Sequence, residues 1–293
     1  MSLIKFMTIC DDELLLQNRL LLKKYDISAY PSVYFCEKKP YIDTINTNSE
    51  LFYKDFKTGK VTSLPTIPAD FFEYEFQNAY NSGYFGVFII FPHNRWTDFK
   101  HQAEIAKKRF LRKIEIDEEG FIIKFYDSKT FAGGTVSQTL EFAKLYQNAH
   151  FSVKDFYDLI RSEKQDKYTY ILSKNENMFD ADTGLKGYII KNNKITRMDI
   201  SQHSDSVIYD LFAEDFVKHS NGCRYDVSVG YNCDFAGNIL GRISKLSGLS
   251  PSSAIKYGVP TTRILGNSAL CLSFVKKFGL NSTYLYNKNS KKY

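Results

Sequence analysis

Two adjacent hydroxyls open the segment Thr62-Ser63-Leu64-Pro65-Thr66-Ile67-Pro68, just ahead of an amphipathic stretch. Hydroxyls donate to anionic oxygens, and the amino-terminal end of a helix adds favourable partial charge, so this segment suits a small oxyanion. N-capping by Thr66 after an extended loop would account for the prolines but would leave Thr62 and Ser63 without a task. A second group is Pro92-His93-Asn94-Arg95-Trp96, where an apolar run passes into a helical pattern. Such a junction is the carboxyl end of a strand, the place where open α/β sheets bind ligands. An exposed His93 beside anion-binding N–H groups would also suit phosphotransfer on the imidazole, the enzymatic alternative. The third group is Gly133-Gly134, which follows a strand and opens a helix but fits neither a dinucleotide fingerprint nor a phosphate loop. A tight strand-to-helix turn explains it as well as a nearby ligand does. His101, His150, His203 and His219 have no metal-ligand spacing with cysteines or carboxylates, and there is no G-x-S-x-G nucleophile elbow. Neither a metal nor a cofactor is expected.

The elements that must position these residues follow from periodicity. Leu3–Ile9 reads as a buried strand, Glu13–Tyr25 as a helix, and Ile27–Phe35 as a second strand made irregular by Pro31. Helices are expected over Ser49–Phe56 and Asp70–Ser82, the latter between Pro68 and Gly83. Gly86–Phe91 is a near-continuous apolar run, as in a parallel strand covered on both faces. Helix Thr97–Phe110, strand Phe121–Tyr126 and helices Thr135–Asn148 and Val153–Glu163 follow. This alternation predicts a doubly wound α/β domain over residues 1–165. Residues 166–293 read as a second, antiparallel α+β domain. Its parts are strand Tyr168–Leu172, a hairpin of Gly187–Lys191 and Lys194–Ile200, helix Ser204–Lys218, strand Tyr225–Tyr231, helix Phe235–Leu246 and a closing apolar segment, Ala269–Val275.

Composition narrows the function classes. The 293 residues carry a net charge of only +6, and the basic stretches Lys107–Lys113 and Lys288–Lys292 lie far apart, so a nucleic-acid partner is not expected. The five cysteines, Cys10, Cys36, Cys223, Cys233 and Cys271, are odd in number and include no C-x-x-C pair. With no secretory signal at the N-terminus, they read as reduced thiols of a cytoplasmic protein. The most apolar segment, Tyr84–Pro92, is too short to span a bilayer. Aromatic residues reach 16%, with 24 Phe and 21 Tyr against one Trp, which reflects either coding bias or a large apolar cavity that needs walls.

The order of the pieces carries a resemblance. Thr62-Ser63-Leu64-Pro65 before an amphipathic helix, then a hydrophobic strand, then Asp127-Ser128-Lys129-Thr130-Phe131-Ala132-Gly133-Gly134, resembles the DegV family of bacterial fatty-acid-binding proteins. That family shows T-S-x-P and D-S-K-x-x-x-G-G at similar separation. The resemblance continues through Tyr34–Gly59, Gly187–Leu211 and Gly258–Phe274. It implies two domains holding a fatty acid, the tail in an apolar tunnel and the carboxylate against hydroxyls and a histidine. It also implies a carrier without chemistry of its own, which presents the acyl carboxylate to a separate fatty acid kinase.

This chain departs from the family at several points. Ile9-Cys10 stands for Asp-Ser, Pro92–Asp98 replaces the serine-rich carboxylate loop, and Ile264-Leu265-Gly266-Asn267-Ser268 lacks the family histidine. A basic segment after the hairpin appears as Ile200-Ser201-Gln202, and a Gly-Gly-Arg-Ile-Ser stretch is missing around Asn175–Lys186. Thr62 and Ser63 carry over as head-group ligands. His93, Asn94 and Arg95 would supply replacement donors, with Arg263 a further candidate. Burying a long acyl chain gains roughly 10 kcal/mol at about 0.8 kcal/mol per methylene, whereas one hydrogen bond to a charged head adds about 1.5–3 kcal/mol. The tail would therefore set affinity and the head-group ligands selectivity. A diverged member without ligand, serving as an interaction module, is the non-enzymatic alternative.

Overall fold

The computed structural model describes residues 6–11, 19–43, 49–61, 63, 66–92, 97–117, 119–130, 132–148, 166–174, 179, 184–192 and 194–276. The first half contains β1 (Phe6–Asp11), α1 (Arg19–Lys24), β2 (Ile27–Tyr30), β3 (Val33–Cys36), β4 (Lys39–Ile42) and α2 (Ser49–Lys57). It continues with α3 (Ala69–Asn81), β5 (Gly86–Phe91), α4 (Phe99–Ile114), β6 (Ile122–Asp127) and α5 (Gly133–Asn148). The second half contains β7 (Asp166–Ser173), β8 (Lys186–Lys191), β9 (Lys194–Arg197), α6 (Asp205–Ser220) and β10 (Tyr225–Val229). It closes with α7 (Ala236–Ser247), β11 (Ser253–Lys256), α8 (Val259–Leu265) and β12 (Ala269–Lys276). The helix expected over Val153–Glu163 and the basic tail fall outside the described residues.

The first sheet is wholly parallel, in the order β2-β1-β5-β6. Every residue of β5 is buried, as a strand covered on both faces requires. Its alternation sends Val87, Ile89 and Phe91 into a cluster with Phe72 and Phe76 of α3 and Phe99 and Phe110 of α4. Phe88 and Ile90 point the other way, against Phe142 of α5. Helices thus cover both faces, which is the doubly wound arrangement expected from the alternation.

Pro31 does more than roughen a strand. It separates β2, which stays in the parallel sheet, from β3, which turns away to pair with β4 in a hairpin of its own. The hairpin turns at Glu37 and Lys38, with φ of +48° and +69°. Two positive φ values match the twist of a two-residue hairpin turn, normally built from Asn and Gly. The Glu-Lys pair hides that turn from a sequence reading.

The second sheet has six strands in the order β11-β10-β12-β7-β8-β9. The pairings from β10 through β9 are antiparallel. The β10–β11 pairing is parallel, so the sheet is mixed and the expectation of a purely antiparallel domain is corrected. The reason is α7, which lies between these strands and supplies the long crossover a parallel pair needs. One face of the sheet, with Tyr170, Leu172, Leu272 and Phe274, packs on Phe212 and Phe216 of α6 and Ile239 and Ile243 of α7. The other face, with Ile171, Tyr188 and Cys271, packs on Val136 and Ala143 of α5 and on Cys10 and Ile27 of the first sheet. Helix α5 therefore lies between the two sheets and belongs to both cores. The bulkiest fully buried side chains, Tyr170, Tyr225, Phe72, Phe76 and Phe212 among them, are all Phe or Tyr, so much of the aromatic excess builds these cores.

One buried acid sets a pH dependence. Glu75 of α3 is 8% exposed and accepts a hydrogen bond from Ser28 Oγ at 2.8 Å. Burial raises its pKa, while the Ser28 hydrogen bond opposes the rise. A raised carboxyl pKa means the folded chain holds the proton more tightly, so stability falls as pH climbs from the unfolded value near 4.3 through the folded one. Glu75→Gln keeps an acceptor for Ser28 and removes the charge. It is expected to unfold later than the parent at pH 7, with the gap closing as pH falls below about 4. Thermal unfolding across pH checks this, and a gap that widens on acidification overturns it.

Candidate functional site

Strand order reverses between β1 and β5: the chain leaves β1 for β2 on one side and β5 for β6 on the other. Crevices outside the carboxyl ends of strands at such a point are where open α/β sheets hold ligands. The chain leaving β5 enters the segment expected to bind, but His93, Asn94 and Arg95 lie outside the described residues, as does Thr62. Ser63 is described and half-buried, and its Oγ accepts a hydrogen bond from the Phe35 N–H at 2.8 Å. It supports the edge of the hairpin and keeps its own O–H to donate.

Thr66 does not cap α3. Pro68 occupies the cap position, with no side-chain hydrogen bond there. Thr66 instead exchanges backbone hydrogen bonds with Val33 at 2.7 and 3.0 Å, and its hydroxyl donates to Asp98 Oδ1 at 2.6 Å. Asp98 immediately precedes α4, and its Oδ2 accepts from Gln102 Nε2 at 3.1 Å. The hydroxyl segment and the loop after β5, the two stretches singled out by their residue types, are thereby tied to each other. Sequence reasoning missed Asp98, because it falls inside the helix expected over Thr97–Phe110. Here its carboxylate faces sideways and caps nothing.

The second domain reaches the same place through α8. The Val259 N–H donates to Asp43 Oδ2 at 2.9 Å, and Val259 packs with Tyr34, Cys36 and Phe52. Asp43 is 2% exposed and sits just beyond β4, its own N–H given to the Ser32 carbonyl at 2.8 Å. Burial, with the Asp43 charge adding to it, pushes the Tyr34 phenol up to about 12. The β3–β4 hairpin is thus the clasp that holds α8 against the first domain. Arg263 stands in the last turn of α8, and its Nε is enclosed without a hydrogen-bond partner. Burial draws its pKa down, while the Asp98 charge acts in the opposite sense.

Gly133 and Gly134 have a packing task. The Gly133 N–H donates to Ser228 Oγ on β10 at 2.6 Å. A Cβ at Gly133 would lie 2.7 Å from that oxygen, and one at Gly134 would lie 2.8 Å from Ser273 Cβ on β12. The Asp127–Gly134 motif feeds a buried polar network behind them. Ser128 and Thr135 hydroxyls bond at 3.0 Å, and Gln138 Nε2 donates to the Ser128 carbonyl at 3.1 Å. Gln138 Oε1 accepts from Lys167 Nζ at 2.6 Å, and Lys167 also donates to the Tyr126 hydroxyl. The turn is built to dock α5 on the second sheet, which accounts for both glycines.

Elsewhere the surface is ordinary. The basic face of α4 is balanced from α3, with Arg109 Nη1 3.1 Å from Asp70 and Lys113 Nζ 3.9 Å from Glu73. A cavity of about 470 Å³ lies between α6 and α7, beside Asp210, Glu214 and Arg242, and another of about 400 Å³ lies over Lys107 and Phe125. Neither adjoins Ser63 or Arg263. None of Cys10, Cys36, Cys223, Cys233 and Cys271 forms a disulfide. Among the described residues no cluster of His, Cys, Asp or Glu could hold a metal ion, and no helix is long and apolar enough to cross a membrane.

No family model matches the sequence, and no curated protein matches it. Solved structures do. A stearic-acid-binding protein from Eubacterium ventriosum superposes with a TM-score of 0.75 at 13% identity, covering 93% of this chain and 98% of that one. DegV, a fatty acid binding protein from Bacillus subtilis, gives 0.71 at 14% identity, covering 94% of this chain and 100% of its own. The fatty acid kinase (Fak) B3 protein of Streptococcus pneumoniae, loaded with linoleic acid, gives 0.70 at 11% identity with the same coverage, 94% and 100%. Along nearly its whole length, then, this chain has the DegV fold.

Proposed function

We propose that this protein is a diverged DegV-type carrier that binds a long-chain fatty acid or a closely related amphiphile. The observation that carries this reading is the end-to-end correspondence with structures described as holding stearic and linoleic acid. The tie between Thr66 and Asp98, which joins the hydroxyl segment to the loop after β5, supports it, as does the apolar layer between the domains. In this reading the acyl tail occupies an apolar tunnel between the two domains, residues 1–165 and 166–293. Thr62, Ser63, His93, Asn94 and Arg95 serve the head group. The protein binds without transforming its ligand, needs no cofactor and works in the cytoplasm. A fatty acid kinase is the natural recipient of the exposed carboxylate, since one neighbour is described as a fatty acid kinase protein.

The test is native mass spectrometry of freshly purified protein followed by organic extraction. The expected result is one long-chain acyl molecule per chain, identified in the extract. Recovery of no fatty acid or related amphiphile, together with failure of delipidated protein to take one up, overturns the reading.

A further inference from the structure

The β3–β4 hairpin has two unlike faces. Tyr34 and Cys36 point inward and pack with Phe52 of α2 and Val259 of α8. The other face is set by register, with Val33 across from Ile42 and Phe35 across from Pro40. Period-two alternation puts these four apolar side chains together on the surface turned away from the core. Phe35 is 41% exposed and Ile42 55%, so that surface is open to water. It is also braced. The second edge of β3 is bridged to Val61 and Thr66, and the Phe35 N–H donates to Ser63 Oγ. The tip adds charge. Glu37 lies 3.7 Å from Lys60, whereas among the described residues no acid pairs with Lys38 or Lys39. Glu37 and Lys38 both hold positive φ, where Asn and Gly would turn the chain at less cost. Charged side chains are thus kept at the tip against the preference of the turn.

We propose that the outer face of this hairpin, together with Lys38 and Lys39, is a docking surface for an anionic lipid bilayer. The inference goes beyond the carrier reading and stands without it. Apolar side chains seat at the boundary of the acyl chains while lysines beside them meet the lipid phosphates. Size separates this occupant from a protein. Four side chains fall well short of the roughly 800 Å² per partner that a stable protein interface buries, whereas a bilayer accepts a few apolar groups and neighbouring cations. Because Ser63 is bonded to Phe35, docking holds the hydroxyl segment close to the headgroups.

The full chain is sedimented with vesicles of phosphatidylcholine alone and with vesicles of phosphatidylcholine and phosphatidylglycerol in equal parts. Binding is expected on the anionic vesicles and should weaken several-fold as salt rises to about 0.5 M. Lys38→Ala with Lys39→Ala should lower the partition coefficient by about 10- to 30-fold, near fivefold for each lysine. Phe35→Thr and Ile42→Thr suit a strand and should each lower it by about 3- to 10-fold. Lys194→Ala with Lys245→Ala removes the same charge from exposed positions of the second domain and should stay within about twofold of the parent. All the replaced side chains are exposed, so thermal unfolding should match the parent and a loss of binding reports the surface. A parent that ignores anionic vesicles overturns the proposal, as does an equal loss from the distant lysine pair. Full binding by both threonine variants overturns the role of the apolar face. Dimerisation without vesicles that is lost in the threonine variants assigns the face to a second copy and overturns the bilayer. None of these outcomes bears on acyl binding.

Discussion

Replacing Gln138 by leucine is expected to cost about 3–5 kcal/mol of unfolding free energy, among the largest losses available from a single polar residue. Gln138 is 5% exposed, and its amide works in both directions. Nε2 donates to the Ser128 carbonyl at 3.1 Å, to Thr130 Oγ1 at 3.1 Å and to the Gly134 carbonyl at 3.2 Å. Oε1 accepts from Lys167 Nζ at 2.6 Å, and Lys167 is 3% exposed. Leucine fills the space and makes none of these bonds. It leaves a buried cation one acceptor short, and an acceptor taken from a buried charge costs more than one taken from a neutral group. Because Lys167 stands on β7 and Gln138 on α5, the loss falls on the joint between the two domains. Lys167→Met in the leucine background should recover part of it, since an apolar pair avoids the stranded charge. Urea denaturation of the two single variants and the double variant gives the coupling. A loss below about 1 kcal/mol for Gln138→Leu would place the residue among ordinary surface substitutions and overturn the claim.

Gly134→Ala and Gly241→Ala should move stability in opposite directions although both glycines lie in helices. At Gly134 an added Cβ would meet Ser273 Cβ at 2.8 Å, Ser273 Oγ at 2.9 Å and Thr130 Cβ at 2.9 Å. These atoms belong to packed strand and turn positions, so the first turn of α5 must lift from the second sheet, at about 1–3 kcal/mol. At Gly241, inside α7, the same Cβ meets nothing within 4 Å. Alanine there restricts the unfolded chain and suits the helix, a gain of about 0.5–1 kcal/mol. Chemical denaturation of both variants checks the sign. A Gly134→Ala protein as stable as the parent would mean that α5 does not bear on β12 as closely as described.

Much of the architecture was readable from residue patterns, for identifiable reasons. The unbroken apolar run of β5 and the leading Pro68 and closing Gly83 around α3 are local signals, and the structure follows them within one residue. The elements left unread have weak local signals. β4 is exposed along its length and follows a turn of Glu37 and Lys38, and β11 is four residues long. The parallel β10–β11 pairing was unreadable because strand direction depends on how α7 crosses, and hydrophobic alternation carries no direction. The candidate site divides the same way. Ser63 was chosen for its hydroxyl and is now seen bonded to Phe35, while Gly133 and Gly134 proved to serve close packing. Thr66, for which N-capping was the plain alternative, acts as a tie.

By itself the sequence determined the alternation of strands and helices, the division into a parallel and a largely antiparallel half, and the segments rich in donors. Those properties depend on neighbours within a few residues, where side-chain period and turn chemistry operate. Only the tertiary structure decided which donors face one another. Thr66 meets Asp98 across 32 residues, and Asp43 meets Val259 across 216, because sheet order and the docking of α8 bring distant segments together. The same docking leaves the Arg263 Nε enclosed without an acceptor. Whether a cation is solvated, paired or left waiting for an anion is a property of its burial, and burial is set by the whole fold.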